Sequence, residues 1–159
     1  MKRIATALAA ALVIGAFWVS PANAAAVHYA YGSGEIAIPH EVVFFAAVQH
    51  GDGTATGFAV VRDISAGVNA FIRVDCLNVI GNLAVISGKV TSSSKPAQVP
   101  VGSEAVFQVI DNDAANGEEN DQSADFMSPV NFYDVGVGPD CSVPLEDVEP
   151  IQKGDIEVR

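Results

Sequence analysis

The chain has 159 residues, half of them hydrophobic and 17% charged, and its formal net charge at pH 7 is −11. So large an apolar fraction can bury a core, which excludes intrinsic disorder as the general state of the chain. The acidic excess repels nucleic acid and anionic membrane surfaces, so neither is expected as a partner.

The first residues, 1–24, carry the features of a secretory signal peptide. Lys2 and Arg3 precede an apolar run over 4–19, and the stretch SPANA ends on Ala24 in the small-x-small arrangement that signal peptidase cleaves. We therefore expect a secreted protein, extracellular or held in the cell envelope. No later stretch is long and apolar enough to span a bilayer, so no membrane span is expected after cleavage; the alternative is an uncleaved anchor.

Residues 25–159 are expected to form a single domain. Because Lys2 and Arg3 leave with the signal peptide, the net charge of this part changes from −11 to −13. It contains two cysteines, Cys76 and Cys141, and an even pair in an exported chain predicts one disulfide. Closing so long a loop contributes about 4 kcal/mol in the chain-entropy model.

The segment 41–90 is rich in β-branched and aromatic residues with a period of two, which is typical of strands. Turn-forming stretches interrupt it: GDG at 51–53, DISAG at 63–67 and the dipeptide Gly81-Asn82. These signals predict strands over 41–50, 54–62, 69–80 and 82–90.

The strand predicted over 69–80 changes its apolar side part-way. Ile72, Val74 and Cys76 alternate on one face, whereas Leu77 and Val79 fall on the other. Either both faces are partly buried or a β-bulge near Cys76 switches the pattern.

Beyond a polar loop with two prolines, EAVFQVID at 104–111 predicts another strand, and a weaker one covers 130–138. The end of the chain, about 139–159, is expected to form an extended strap fixed by Cys141. About six to eight short strands predict an all-β fold, either a single antiparallel sandwich or a small barrel, with one disulfide.

Three stretches carry a resemblance. TGFAVVRD includes the Gly57–Arg62 strand, CLNVIGNLAVISGKV turns at 79–84, and VFQVIDND is followed by NGEEND, with the acidic end of the strand at 111–118. Their order resembles small secreted actinobacterial β-domain proteins of unknown function, over roughly residues 30–130. The acidic loop here is longer, more acidic and lacks the proline of that pattern. The resemblance implies secretion and a β fold, and it carries no activity.

The loop after the 104–111 strand is crowded with side-chain oxygens. Ca²⁺ binds six to eight oxygen ligands, so such a loop is a candidate cation site. Its spacing differs from an EF-hand, since Asn116 stands where glycine is required and Gln122 where the bidentate glutamate belongs. The sequence predicts either a calcium site or a solvated polar loop. The candidate ligands are Asp111, Asp113, Glu118 and Asp121.

Motifs for catalysis are missing from the sequence. There is no Gly-x-Ser-x-Gly, and the His40-Glu41 pair does not begin a zinc-binding helix because Phe44 occupies the place of the second histidine. Beyond calcium, no cofactor is expected, and an enzyme is the less favoured reading.

We therefore expect a secreted, non-enzymatic binding or interaction module, stabilised by calcium if the loop binds it, whose unknown partner is an extracellular protein or glycan. The alternatives are a small secreted enzyme with a cleft in a β-barrel or sandwich and a purely structural cell-envelope protein. A flat exposed aromatic patch would favour the binder, and a deep polar pocket would favour the enzyme. The aromatic candidates are Tyr29, Tyr31, Phe132 and Tyr133.

Overall fold

The fold is one antiparallel β-sheet, seen in a computed structural model that describes residues 26–112, 124–138 and 141–159. The strands in these residues are β1 (Ala26–Ile36), β2 (Glu41–His50), β3 (Ala55–Asp63), β4 (Val68–Ile80), β5 (Leu83–Ser93), β6 (Glu104–Ile110), β7 (Phe126–Met127), β8 (Asn131–Tyr133), β9 (Glu149–Pro150) and β10 (Lys153–Val158). They follow the order β10-β1-β2-β3-β4-β5-β6-β7-β9, with β8 paired to β6. The predicted all-β fold is confirmed, with more strands than expected.

Strands β2 to β6 begin and end within three residues of the predicted positions. The strand predicted over 130–138 is shorter, because β8 ends at Tyr133 and the chain then turns at Gly136, whose φ is +76°. Strands β1 and β10 were not predicted. Among the described residues no helix is long and apolar enough to cross a membrane.

A β-bulge shapes β4. The register of β4 against β5 shifts between Val74 and Cys76, which leaves Asp75 as the extra residue. Val74 and Leu77 therefore both point into the main core, while Cys76 lies on the outer side of the sheet. Of the two alternatives that the sequence left open, the structure shows the bulge, and the bulge turns Cys76 toward the outer side of the sheet, where its partner Cys141 lies.

The main core fills the inner side of the sheet. Alternate residues of β1 to β6 point inward, as the period of two requires. Phe45 of β2 and Phe107 of β6 meet edge to face, with ring centroids 5.5 Å apart. This contact joins strands that lie four positions apart in the sheet, so the sheet must curl around the core.

The C-terminal segment joins the two ends of the curled sheet. β9 pairs with β7 at one end, and β10, two residues later, pairs with β1 at the other. The backbone N–H groups of Ile156 and Val158 face away from β1, because alternate residues of an antiparallel strand bond to opposite sides. These N–H groups donate to Asp125 Oδ2 at 3.1 Å and to Asp111 Oδ2 at 2.9 Å. Two buried carboxylates thus accept the hydrogen bonds that the carbonyl groups of a further strand would otherwise accept.

Residues 141–148, which we call the strap, contain turns and bends without a strand, and they lie against the outer side of β5 and β6. The Cys76–Cys141 disulfide fixes its start, as predicted, with the two Cα atoms 6.3 Å apart. Further along, the Leu145 N–H donates to the side-chain oxygen of Gln108 at 2.7 Å. The end of the chain then becomes β9 and β10 instead of remaining a strap.

Candidate functional site

The outer side of β2, β3 and β4 carries a group of apolar side chains. Phe44 lies opposite Val60, and Val60 lies opposite Phe71, so these three residues form one row across the strands. Phe58 stands in the adjacent row, opposite Arg73. We call Phe44, Phe58, Val60 and Phe71 the phenylalanine face.

The phenylalanine face is open to solvent. Phe44 is 55% exposed, and Phe58 and Phe71 are each 43% exposed. The rings of Phe58 and Phe71 lie within 4° of parallel, with centroids 6.1 Å apart, which is a diagonal contact between neighbouring strands. Grouped, half-exposed aromatic side chains of this kind mark interaction sites, whereas single exposed ones do not.

The core holds the backbone beneath this face in place. Phe44 lies between buried Val43 and Phe45 on the same strand, and Phe71 lies between buried Ala70 and Ile72. A surface on rigid strands loses little conformational freedom when a partner binds, which favours affinity. The three strands therefore form a preorganised binding surface.

The outer side of β5 and β6 is apolar as well, but the strap covers it. Val85 and Val106 are buried there in a second small core together with Cys141, and Leu145 of the strap packs against them. The phenylalanine face, by contrast, is an apolar group on adjacent strands that the described residues leave open.

The aromatic residues singled out in the sequence do not form one surface. Tyr29 and Tyr31 stack on each other with centroids 5.8 Å apart, and both hydroxyl groups donate to the Glu157 carboxylate of β10. Phe132 and Tyr133 belong to β8, where they are half-buried against the main core and the second core. The candidates thus lie on separate strands and are already engaged within the protein.

The predicted calcium ligands lie mainly outside the described residues. Asp113, Glu118 and Asp121 fall in 113–123, outside the residues that the structure describes. Asp111 is described, and it is buried with one carboxylate oxygen bound to the Val158 N–H. Across the described residues, no group of three or more histidine, cysteine, aspartate or glutamate side chains converges on a possible metal position. Calcium binding stays a prediction.

A buried glutamate was not anticipated from the sequence. Glu41 is 2% exposed, and its Oε1 accepts a hydrogen bond from the Val130 N–H at 3.0 Å. Burial raises the pKa of Glu41 to about 7, and the nearby Asp63 carboxylate adds to the rise, whereas the Val130 hydrogen bond opposes it. The carboxyl joins the start of β2 to the segment before β8, which is a structural role.

A shallow depression of about 170 Å³ lies between β5, β6 and the turn after β8. Glu104 is the ionisable residue in its lining, and this carboxylate is paired with Lys89 at 2.7 Å. Ser87 also lines it, but no base is among the lining residues to activate that hydroxyl. The depression does not have the convergent polar groups of a catalytic pocket.

The histidines are dispersed. His40 Nε2 lies 3.0 Å from Glu35 Oε1, and His50 Nε2 lies 2.9 Å from Thr56 Oγ1. The two contacts lie at opposite ends of β2 and do not form a joint site.

A comparison of this chain with protein-family models, with curated proteins and with solved structures finds no match. The resemblance to small secreted actinobacterial β-domains therefore stays a prediction. The phenylalanine face was missed in the sequence, although a signal was present. In FF at 44–45, FAVV at 58–61 and AFI at 70–72, residues on both faces of the strand are apolar.

Proposed function

We propose that this protein is a secreted, non-enzymatic binding module and that the phenylalanine face is its contact surface. One observation carries the proposal: three half-exposed phenylalanines and a valine lie together on adjacent strands of a rigid sheet. Exposed apolar groups of this density lower solubility, and a partner that covers them gives a reason for their presence. Secretion is supported by the Cys76–Cys141 disulfide, because disulfides persist in oxidising compartments.

The partner class favoured by this surface is an extracellular protein. Flat apolar sheet faces pack well against the side chains of another polypeptide, and aromatic residues are enriched at the centres of such interfaces. A glycan partner is less well supported, because the outward rings are phenylalanines without hydroxyl or indole N–H groups to bind sugar hydroxyls.

A peptide library displayed on phage tests the proposal. Selection on the oxidised protein should enrich sequences that do not bind the double variant Phe58→Ser/Phe71→Ser. Both residues are exposed, so the double variant should keep its fold, which circular dichroism and thermal unfolding would check. Enriched peptides that bind both proteins equally would show that the phenylalanine face is not the contact surface.

We propose separately that the acidic loop binds Ca²⁺. Thermal unfolding in EDTA and then in millimolar Ca²⁺, with Mg²⁺ as control, measures it independently of the phenylalanine face. Ligand at about a hundred times its Kd adds roughly 2.7 kcal/mol to the free energy of unfolding. An equal increase in thermal stability with Ca²⁺ and with Mg²⁺ would show general charge screening and not a specific calcium site.

A further inference from the structure

The positive charges of this acidic protein are concentrated beside the phenylalanine face. Of the six basic residues that follow the predicted signal peptide, Arg62, Arg73 and Lys89 point outward from β3, β4 and β5. Lys89 is engaged by Glu104 at 2.7 Å. Within the part of the chain that the structure describes, neither Arg62 nor Arg73 forms an ion pair.

Two acidic residues lie close to these arginines along the chain: Asp63 directly follows Arg62 and therefore points to the other side of β3, and Asp75 lies two residues after Arg73 in β4. Partial burial raises the pKa of the Asp75 carboxyl, and the Glu104 carboxylate raises it further. Lys89 and Arg73 oppose that rise only in part. Among the described residues Arg73 and Asp75 form no ion pair, so the Arg73 guanidinium remains available to a carboxylate from outside.

The two arginines lie on opposite sides of the apolar row. Arg62 belongs to the cross-strand row on one side of Phe44, Val60 and Phe71, and Arg73 belongs to the row on the other side. Strand geometry places the two Cα atoms about 14 Å apart, as four residues along one strand and one strand across. An extended peptide spans nearly this distance between residues i and i+4.

We propose that the phenylalanine face binds a protein segment in which an apolar residue lies between two carboxylates. This inference rests on the proposed function and names the chemistry of its partner. In an extended segment the pattern is acid-x-apolar-x-acid. One carboxylate would pair with Arg62 and the other with Arg73, and the apolar side chain would contact the phenylalanine face between them. Each exposed arginine contributes about two- to fivefold in affinity.

Other occupants fit less well. Two copies of the chain carry about −13 each, and this charge opposes their association. The three half-exposed rings offer about 300 Å² of apolar surface, which is small beside the roughly 800 Å² per partner of a stable interface. A long anionic polymer would be repelled by the negative charges of the whole protein. A short segment interacts mainly with charges within a Debye length of about 8 Å, so the arginines dominate its electrostatic interaction.

The same phage library, sorted by charge, tests the inference. Wild type should enrich apolar peptides with two acidic residues, and Arg62→Gln/Arg73→Gln should enrich apolar peptides without that bias. Lys153→Gln/Arg159→Gln is the matched control, because it removes the same charge from exposed positions on β10 and at the C-terminus. For the best peptide, replacing both acids by their amides should weaken binding by about tenfold, and added salt should remove most of that difference.

The outcomes separate the two proposals. Enriched peptides that need Phe58 and Phe71 but are neutral or basic would overturn the charge inference and leave the binding function standing. No peptides that depend on the phenylalanine face would overturn both. Sedimentation that shows a concentration-dependent dimer, lost in Phe58→Ser/Phe71→Ser, would identify a second copy as the occupant and would also overturn the inference.

Discussion

The outer side of the sheet has two apolar regions, and the chain treats them differently. Over β5 and β6, the strap buries Val85 and Val106 beneath a segment tethered by a disulfide. Over β2 to β4, no described residue covers the phenylalanine face. The strands of the two regions have similar compositions, so the difference arises from where the strap is anchored. In one region the protein covers its own apolar strand surface with the strap. In the other region the apolar surface stays exposed and can contact a partner.

Removing the tether should produce the largest effect and should make the covered region resemble the open one. Cys76→Ser/Cys141→Ser releases a loop of 65 residues, which lowers the free energy of unfolding by about 4 kcal/mol. Urea unfolding measures this loss, and binding of a neutral hydrophobic dye to the native state should increase as Val85 and Val106 become exposed. A loss below about 1 kcal/mol would mean that hydrogen bonds alone hold the strap.

The interior beneath both regions should respond to pH through Glu41. In the unfolded chain the pKa of this carboxyl is near 4.5, and in the folded protein it is about 7. Below pH 4.5 both states are protonated and Glu41 has no effect. As the pH rises from 4.5 to 7 the unfolded state ionises first, so stability falls by about 3 kcal/mol.

Glu41→Gln should remove this fall and should stabilise the protein above pH 7. Urea unfolding of both proteins at several pH values measures the difference, with the exposed Glu146→Gln as control. Parallel stability curves for wild type and Glu41→Gln would contradict the raised pKa.

Asp111→Ala should weaken the closure of the sheet. The buried Val158 N–H loses its acceptor, which costs about 2 kcal/mol. The exposed Asp147→Ala should change stability by less than about 0.5 kcal/mol. Measuring both in EDTA separates this structural role of Asp111 from any calcium effect, because calcium cannot contribute there. A loss that is seen only with Ca²⁺ would contradict the structural role.

Phe44→Ala should have the smallest effect, and its neighbour supplies the sharpest contrast. Phe44 belongs to the open region, so its loss should change stability by about 0.5 kcal/mol. Phe45, the next residue, is buried against Phe107, and Phe45→Ala should cost about 3–5 kcal/mol. Similar losses at the two positions would show that the phenylalanine face also supports the fold.

Much of the fold could be predicted because local signals agree. Period-two apolar patterns and glycine-bearing turns located β2 to β6, and the change of face near Cys76 pointed to the bulge. β1 was missed because Gly32, Ser33 and Gly34 interrupt its pattern. β10 was missed because it offers only two buried apolar side chains, and its partners lie far away in sequence.

The candidate site was harder to predict for a related reason. Alternation shows which residues share a face, but not which outer face a distant segment covers. From the sequence alone, a strap across β2 to β4 is as compatible with the pattern as one across β5 and β6. Likewise, Glu41 at a strand start is typical of a solvated residue, and its burial depends on Val130, which lies 89 residues away.

The closure of the sheet by β10 has a consequence for the order of folding. β1 pairs with residues far along the chain, such as Ala30 with Val158, so its outer edge has no strand beside it until that distant segment folds against it. Contacts this distant in sequence form slowly because a long loop must close first. During that interval the folding chain carries an unpaired strand edge, which is the feature that promotes aggregation and chaperone binding. β10 is therefore the strand that protects the outer edge of β1.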